Sequence, residues 1–110
     1  MTAPLIGNLE RLLASGKDSA LLRFGLGNAY LEAGDPAAAV SHLERAVAMN
    51  ANYSAAWKLL GKALVAAGDS EGALAAYQKG VVAAQQMGDK QTLREMQVFI
   101  RRLESVTRRS

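Results

Sequence analysis

The sequence of 110 residues contains no cysteine, a single histidine and only six aromatic side chains. The absence of cysteine excludes disulfides, thiol catalysis and cysteine-ligated metal sites. Because His42 has no second imidazole to pair with, we expect no metal site. We expect no cofactor either. No apolar run approaches the ~18 residues of a membrane span, and Glu10 and Arg11 interrupt the segment where a secretory signal would be apolar. We therefore expect a cytoplasmic protein that makes no contact with a membrane.

The composition that is present favours one compact domain over residues 1–110 without catalytic machinery. Half of the residues are hydrophobic and 21% are charged, which is typical of a folded soluble chain. His42 lies between apolar Val40 and Leu43 and is expected to be a surface or boundary residue. No serine, histidine and acid recur at a spacing that would bring a nucleophile and its base together. We therefore expect that the protein is not an enzyme.

The charge is concentrated at the C-terminal end. Residues 1–89 carry seven basic against eight acidic side chains, whereas residues 90–110 carry six against two. The net charge of +3 therefore arises entirely in the last segment. Such asymmetry indicates either a solvated helix face or a surface that meets an acidic partner.

A repeat of 34 residues is the strongest pattern in the chain. Shifting the sequence by this period superposes residues 20–53 on residues 54–87 without a gap and gives eight identities. The identical pairs are Leu26/Leu60, Gly27/Gly61, Ala29/Ala63, Ala33/Ala67, Gly34/Gly68, Asp35/Asp69, Ala39/Ala73 and Val47/Val81. Because Leu-Gly-x-Ala and Ala-Gly-Asp recur in register, the match is more than a consequence of alanine-rich composition.

Each unit has the pattern of two helices joined by a tight turn. Apolar residues recur at helical spacing before and after an Ala-Gly-Asp triplet. Gly68 is expected to end one helix in the left-handed conformation, and Asp69 to cap the next. Gly27 and Gly61 lie inside predicted helices, where glycine costs about 1 kcal/mol relative to alanine, so we expect a close helix contact there.

This pattern resembles the tetratricopeptide repeat family. The second unit matches its signature with Trp57, Leu60, Gly61 and Leu64, followed by Ala73 and Tyr77. The first unit has Arg23, Leu26, Gly27 and Tyr30, followed by Ala39 and Leu43, and both units lack the closing proline, with Ala51 and Gln85 at that position. The resemblance implies an all-α solenoid of antiparallel helix hairpins that acts as a non-catalytic protein-interaction module.

The two ends are expected to be capping helices. A leading half-repeat helix is predicted over residues 4–16, because Leu5, Leu9 and Leu12 fall one period before Ala39, Leu43 and Ala46. A terminal helix is predicted over residues 89–107, with a broad apolar stripe that includes Phe99 and Ile100. The predicted architecture is thus two full repeats, 20–53 and 54–87, between two capping helices.

The resemblance also implies a binding groove lined by the first helix of each repeat. The groove residues carried over from the family are Leu21, Phe24, Asn28, Leu31, Lys58, Lys62 and Val65, with Glu32 beside them. Two lysines and two apolar side chains at these positions suggest an acidic, partly apolar peptide as the partner. The alternative is that the lysines are simply solvated and that Phe24 packs on the leading helix. The family's clamp for chaperone C-termini is rejected, because only Asn28 matches its residues.

Two further partners remain open. The side chains of Lys90, Arg94, Arg101 and Arg108 lie on one face of the terminal helix, opposite its apolar stripe, and could bind a polyanion or nucleic acid. The shortage of surface aromatic residues for base stacking makes nucleic acid the weaker choice. Homo-oligomerisation through Phe99 and Ile100 is the other alternative, so the chain is expected to be a monomer or a weak homodimer.

Overall fold

The computed structural model describes residues 2–109, with the side chains at positions 2, 3, 107 and 109 left out of the description. The described residues form six α-helices and no strand. The helices are α1 (Thr2–Ala14), α2 (Ala20–Glu32), α3 (Pro36–Met49), α4 (Ser54–Ala66), α5 (Ser70–Met87) and α6 (Lys90–Arg109). The prediction of an all-α helical solenoid is confirmed.

The Ala-Gly-Asp triplets form the turns inside the two hairpins, as the sequence predicts. Gly34 and Gly68 have φ angles of 82° and 85°, which side chains with a Cβ rarely adopt. The carboxylates of Asp35 and Asp69 then accept hydrogen bonds from the amides of Ala38 (3.2 Å) and Gly72 (2.8 Å). Each turn therefore ends one helix and caps the next within three residues.

Asp89 caps α6 and also ties it to the start of α4. Its carboxylate accepts hydrogen bonds from the Thr92 amide (3.2 Å) and from the Ser54 hydroxyl (2.9 Å). The bonds from Thr92, followed by the bond from Ser54, hold the pKa of Asp89 below its usual range. Asp89 thus precedes the first residue of α6, and its bond with Ser54 fixes where α6 lies beside α4.

The helices of each hairpin approach each other at a glycine. A Cβ atom at Gly27 would collide with the Leu43 side chain, and one at Gly61 would collide with the Tyr77 ring. Both glycines are buried, and Leu43 is fully enclosed. The expected pairing of small residues with bulky residues across the hairpin is therefore present in both repeats.

Two groups of buried side chains follow one another along the stack. The first joins α3, α4 and α5 and consists of Ala39, Leu43, Ala46, Val47, Ala56, Leu60, Ala63 and Ala76. The second joins α5 to α6 and consists of Ala73, Tyr77, Ala84 and Met96. Burial raises the pKa of the Tyr77 phenol to about 12. The helix α6 is thus packed into the stack through a fully buried methionine.

The contact between α1 and the rest of the stack contains a polar cluster. The Tyr30 hydroxyl donates a hydrogen bond to Glu10 (3.1 Å), and the Tyr30 ring stacks on His42 at 5.4 Å. Arg23 donates to both oxygens of Asp18 and lies 3.1 Å from Nδ1 of His42. His42 is half-buried at this helix boundary, which agrees with the expectation for it. Arg23 takes the place of the family's usual tryptophan at the same position.

Candidate peptide-binding groove

The stack curves so that α2, α4 and α6 line its inner side. Among the described residues, α2 contacts α4 and α4 contacts α6, whereas α1, α3 and α5 make no comparable contacts with one another. A cavity of about 420 Å³ opens on the outer side between α3 and α5, and its wall carries Glu44, Asp69 and Lys79. Because the inner helices meet and the outer helices spread apart, the inner side is the concave one.

The helix α2 contributes both exposed and partly buried side chains to this side. Phe24 stacks on the Tyr53 ring, with centroids 5.1 Å apart, and both rings pack against the first buried group together with Leu31. Asn28 donates a hydrogen bond to Glu32 (2.9 Å). Leu21 is 71% exposed. Phe24 therefore packs on the loop before α4.

The two lysines of α4 have different surroundings. The ammonium group of Lys58 lies 2.8 Å from the Glu95 carboxylate of α6, and both side chains are half-buried. Lys62 is exposed, and its ammonium group lies over the Phe99 ring at 5.4 Å from the centroid. Lys58 thus already has an anionic partner within the chain, while the charge of Lys62 faces an aromatic ring.

The helix α6 supplies groove residues that the sequence did not indicate. The guanidinium of Arg102 lies 6.0 Å from the centroid of the same Phe99 ring, and Phe99 also packs against Tyr77 with centroids 5.5 Å apart. Glu95, Phe99 and Arg102 follow one another at spacings of four and three residues, so they share one face of α6. The spacing of these three residues in the sequence predicts that they share a face. It does not predict that this face lines the groove, because that depends on the position of α6 beside α4.

These side chains surround a cavity of about 230 Å³ between the ends of α4 and α6. The cavity is lined by Lys62, Val65, Tyr77, Phe99, Arg102 and Leu103. This set contains two cations and no carboxylate. An apolar pocket with positive charge at its edge is suited to an apolar side chain that has an anionic group nearby.

The basic stripe lies elsewhere on α6. Lys90, Arg94, Arg101 and Arg108 are all exposed, and no ion pair joins any of them to another side chain that the structure describes. They point away from the cavity, because Met96 and Phe99 face α5 and α4. The stripe is therefore a surface separate from the groove.

Residues 2–109 contain neither a cluster of metal-ligating side chains nor a membrane-spanning helix. No three acidic or histidine side chains of this range lie close enough together to hold a metal ion. None of the six helices is long and apolar enough to cross a membrane.

Comparison with known proteins agrees with the repeat geometry. The family profile described as tetratricopeptide repeat matches residues 6–40 and 24–88, and so covers most of the chain. The chain belongs to the tetratricopeptide repeat family. A TPR repeat-containing protein of Pseudomonas aeruginosa is 54% identical over 100 residues, which are 91% of this chain and 95% of that protein.

Solved structures of tetratricopeptide repeat proteins and their relatives share the fold. The solution structure of a Bordetella parapertussis protein is similar, with a TM-score of 0.78 and 47% identity over 91% of this chain and 87% of that one. A tetratricopeptide repeat domain protein from Salinibacter ruber has a TM-score of 0.74 and 22% identity over 80% of this chain and 89% of that one, which shows the fold alone. The fold is that of a protein-interaction module.

Proposed function

We propose that this tetratricopeptide repeat protein is a non-catalytic adaptor whose concave groove binds an acidic, partly apolar peptide. The observation that carries the proposal is the placement of Lys62 and Arg102 over one aromatic ring, at the edge of an apolar cavity without a carboxylate. A carboxylate of the peptide would pair with these two cations, while a neighbouring apolar side chain enters the cavity beside Val65.

The ion pair with Glu95 gives Lys58 a different role from that of Lys62. With its ammonium group 2.8 Å from a carboxylate, Lys58 contributes little net charge to the groove. Its effect is to hold α6 against α4 and so to keep Phe99 and Arg102 in place. The acidic partner is therefore expected to depend on Lys62 and Arg102 more than on Lys58.

The part of the groove formed by α2 is suited to apolar contacts. Leu31 and Phe24 are partly buried against the first buried group, whereas the exposed Leu21 lies at the cavity between α1 and α2. The Glu32 carboxylate on this helix accepts a hydrogen bond from Asn28. A peptide that runs along the groove would thus meet apolar surface at α2 and positive charge at α6.

The test is binding to an array of short peptides in which acidic and apolar residues alternate, with lysine-containing versions as the comparison. The double variant Lys62→Glu, Arg102→Glu should lose the acidic binders, because the variant repels carboxylates. The matched control, Arg94→Glu with Arg101→Glu, makes the same charge change on the basic stripe and should keep them. Loss of binding in the control variant alone would show that the basic stripe binds the peptide. Equal binding by the wild type and both double variants would contradict peptide binding in the groove.

A further inference from the structure

The first helices of the two repeats carry different charges at equivalent groove positions. The helices α2 and α4 are both 13 residues long and begin one repeat period apart, so each position of α2 has a counterpart in α4. Where α2 has Asn28 and Glu32, α4 has Lys62 and Ala66. The aspartates that follow the two helices are the same in both repeats and do not contribute to this difference. The groove therefore changes from negative at α2 to positive at α4.

The helix α6 adds a second cation at the positive end. Arg102 of α6 and Lys62 of α4 lie over the same Phe99 ring, and no ion pair joins either cation to another side chain that the structure describes. Among the described residues α2 and α6 do not contact each other, because α4 lies between them. The charge along the inner side of the stack is therefore ordered from α2 to α6.

The Glu32 carboxylate is accessible to a ligand at the negative end. Its side chain is exposed at the last position of α2, and Nδ2 of Asn28 donates a hydrogen bond of 2.9 Å to its Oε1 atom. No described cation forms an ion pair with this carboxylate. Asn28 thus holds the carboxylate beside the groove, and the Oε2 atom can accept a hydrogen bond from a ligand.

The distance between the two charged ends sets the length of the peptide segment that spans them. The axes of packed helices lie roughly 8–10 Å apart, so two such steps, from α2 to α4 and from α4 to α6, cover roughly 16–20 Å. An extended peptide advances roughly 3.3–3.6 Å per residue. The negative and positive ends are therefore separated by about five or six residues of extended chain.

We propose that the ligand of the groove carries charges of both signs at a defined spacing. An acidic residue beside an apolar one binds at α6, and a basic residue about five or six positions away binds at Glu32. This inference rests on the proposed function and adds the basic residue and its distance from the acidic one. The ligand takes one orientation, because the reverse placement brings like charges together at both ends of the groove.

Fluorescence anisotropy with a set of matched peptides tests the spacing. Each peptide contains the same glutamate–leucine pair, and the position about six residues from the glutamate is lysine, alanine or glutamate. The set is made in both chain orders, with this position before or after the pair. At low ionic strength the lysine peptide should bind about two- to fivefold more tightly than the alanine peptide in at least one order, as expected for an exposed ion pair. A peptide with its lysine directly beside the leucine is the spacing control and should show no such gain.

The variant Glu32→Lys tests which side chain binds the basic residue. It should reverse the order of affinity, so that the glutamate peptide binds more tightly than the lysine peptide, because both ends of the groove are then positive. A lysine at the last residue of a helix is favoured by the helix dipole, so thermal unfolding should show that the fold is retained. The matched control is Glu44→Lys, an exposed residue beside the outer cavity, which should keep the wild-type order.

The results for the alanine peptide separate this proposal from groove binding itself. If the wild type binds the alanine peptide but lysine gives no gain in either chain order, the proposed basic residue is wrong and the groove function stands. The same conclusion follows if Glu32→Lys keeps the wild-type order, or if Glu44→Lys reverses it as Glu32→Lys does. Failure of the wild type to bind any peptide of the set would overturn both proposals.

Discussion

At its C-terminal end the stack is closed by α6, whose Met96 is fully buried and whose outward face is basic. At its N-terminal end α1 is held by a cluster of polar side chains and leaves leucines exposed. Both helices occupy half of a repeat, but α6 buries Met96 completely, whereas Leu5 and Leu12 of α1 are 48% and 44% exposed. The two ends of this two-repeat array are therefore packed differently.

The largest effect that separates the two ends is expected at Met96. Replacing this fully buried side chain by alanine should lower the free energy of unfolding by about 2–5 kcal/mol, because a cavity remains between α5 and α6. Leu5→Ala at the other end removes a half-exposed side chain and should cost much less. Urea denaturation measures both variants, with Met87→Ala as a control at a 61% exposed site. A loss at Leu5 as large as the loss at Met96 would remove the distinction between the ends.

The glycine contacts in the middle of the stack provide the next comparison. Gly61→Ala places a Cβ atom against the Tyr77 ring and should destabilise the protein by about 1–3 kcal/mol, since the crowded core must shift. Its matched control is Gly25→Ala in α2, where the nearest atom, a Leu9 methyl, is 3.8 Å from the new Cβ. That control should gain up to about 1 kcal/mol from helix propensity. Chemical denaturation of the two variants should therefore shift in opposite directions, and a gain at Gly61 would contradict the close packing.

A smaller effect is expected from the polar contact that fastens α1. Tyr30→Phe removes the hydroxyl that donates to Glu10 and should reduce stability by about 1 kcal/mol. Tyr53→Phe is the control, because no hydrogen bond of the Tyr53 hydroxyl to a described residue is present and burial alone raises its pKa. Hydrogen exchange of the α1 amides should accelerate in Tyr30→Phe and stay unchanged in Tyr53→Phe. Unchanged exchange in both would show that α1 is held by its apolar side chains alone.

The smallest expected effect is a pH dependence of the stability, caused by His42 at the N-terminal end of the stack. Burial, opposed by the Glu10 carboxylate, lowers the pKa of His42 below its ordinary value, and Arg23, Asp18 and the Tyr30 ring also face it. The unfolded chain therefore binds a proton more readily than the folded chain, so stability falls as the pH drops through about 6.5. The melting temperature should decrease between about pH 7.5 and 5.5, and His42→Gln should remove that part of the decrease. The Asp18 and Asp89 carboxylates have lowered pKa values and titrate below this window.

The repeats were predictable from the sequence because their packing is local. The residues that define a hairpin, such as Gly61 and Tyr77, lie in adjacent helices and recur at a fixed period, so a single chain displays the pattern twice. The turns were predictable from Gly34 and Gly68, because a glycine followed by an aspartate is typical of a helix end next to a helix start. Both glycines have a positive φ in the structure. The predicted domain boundaries and the identity of the groove residues stay predictions.

The surroundings of the groove residues were not predictable, because they depend on where α6 lies. Lys58 and Glu95 are 37 positions apart, and nothing in their spacing indicates an ion pair. The contact follows from the hydrogen bond between Ser54 and Asp89, which aligns the starts of α4 and α6. Phe99 and Arg102 lie in the groove because the same bond aligns α6 with α4. The sequence pattern of α6 indicated only a buried stripe and a basic stripe.

The most direct test of the groove is an NMR titration of the chain with an acidic peptide that contains one leucine or phenylalanine. The account predicts that the amide signals which shift belong to residues around the cavity, with Lys62, Val65, Phe99 and Leu103 among them. Shifts confined to Lys90, Arg94, Arg101 and Arg108, or no shift for a peptide that binds, would contradict it.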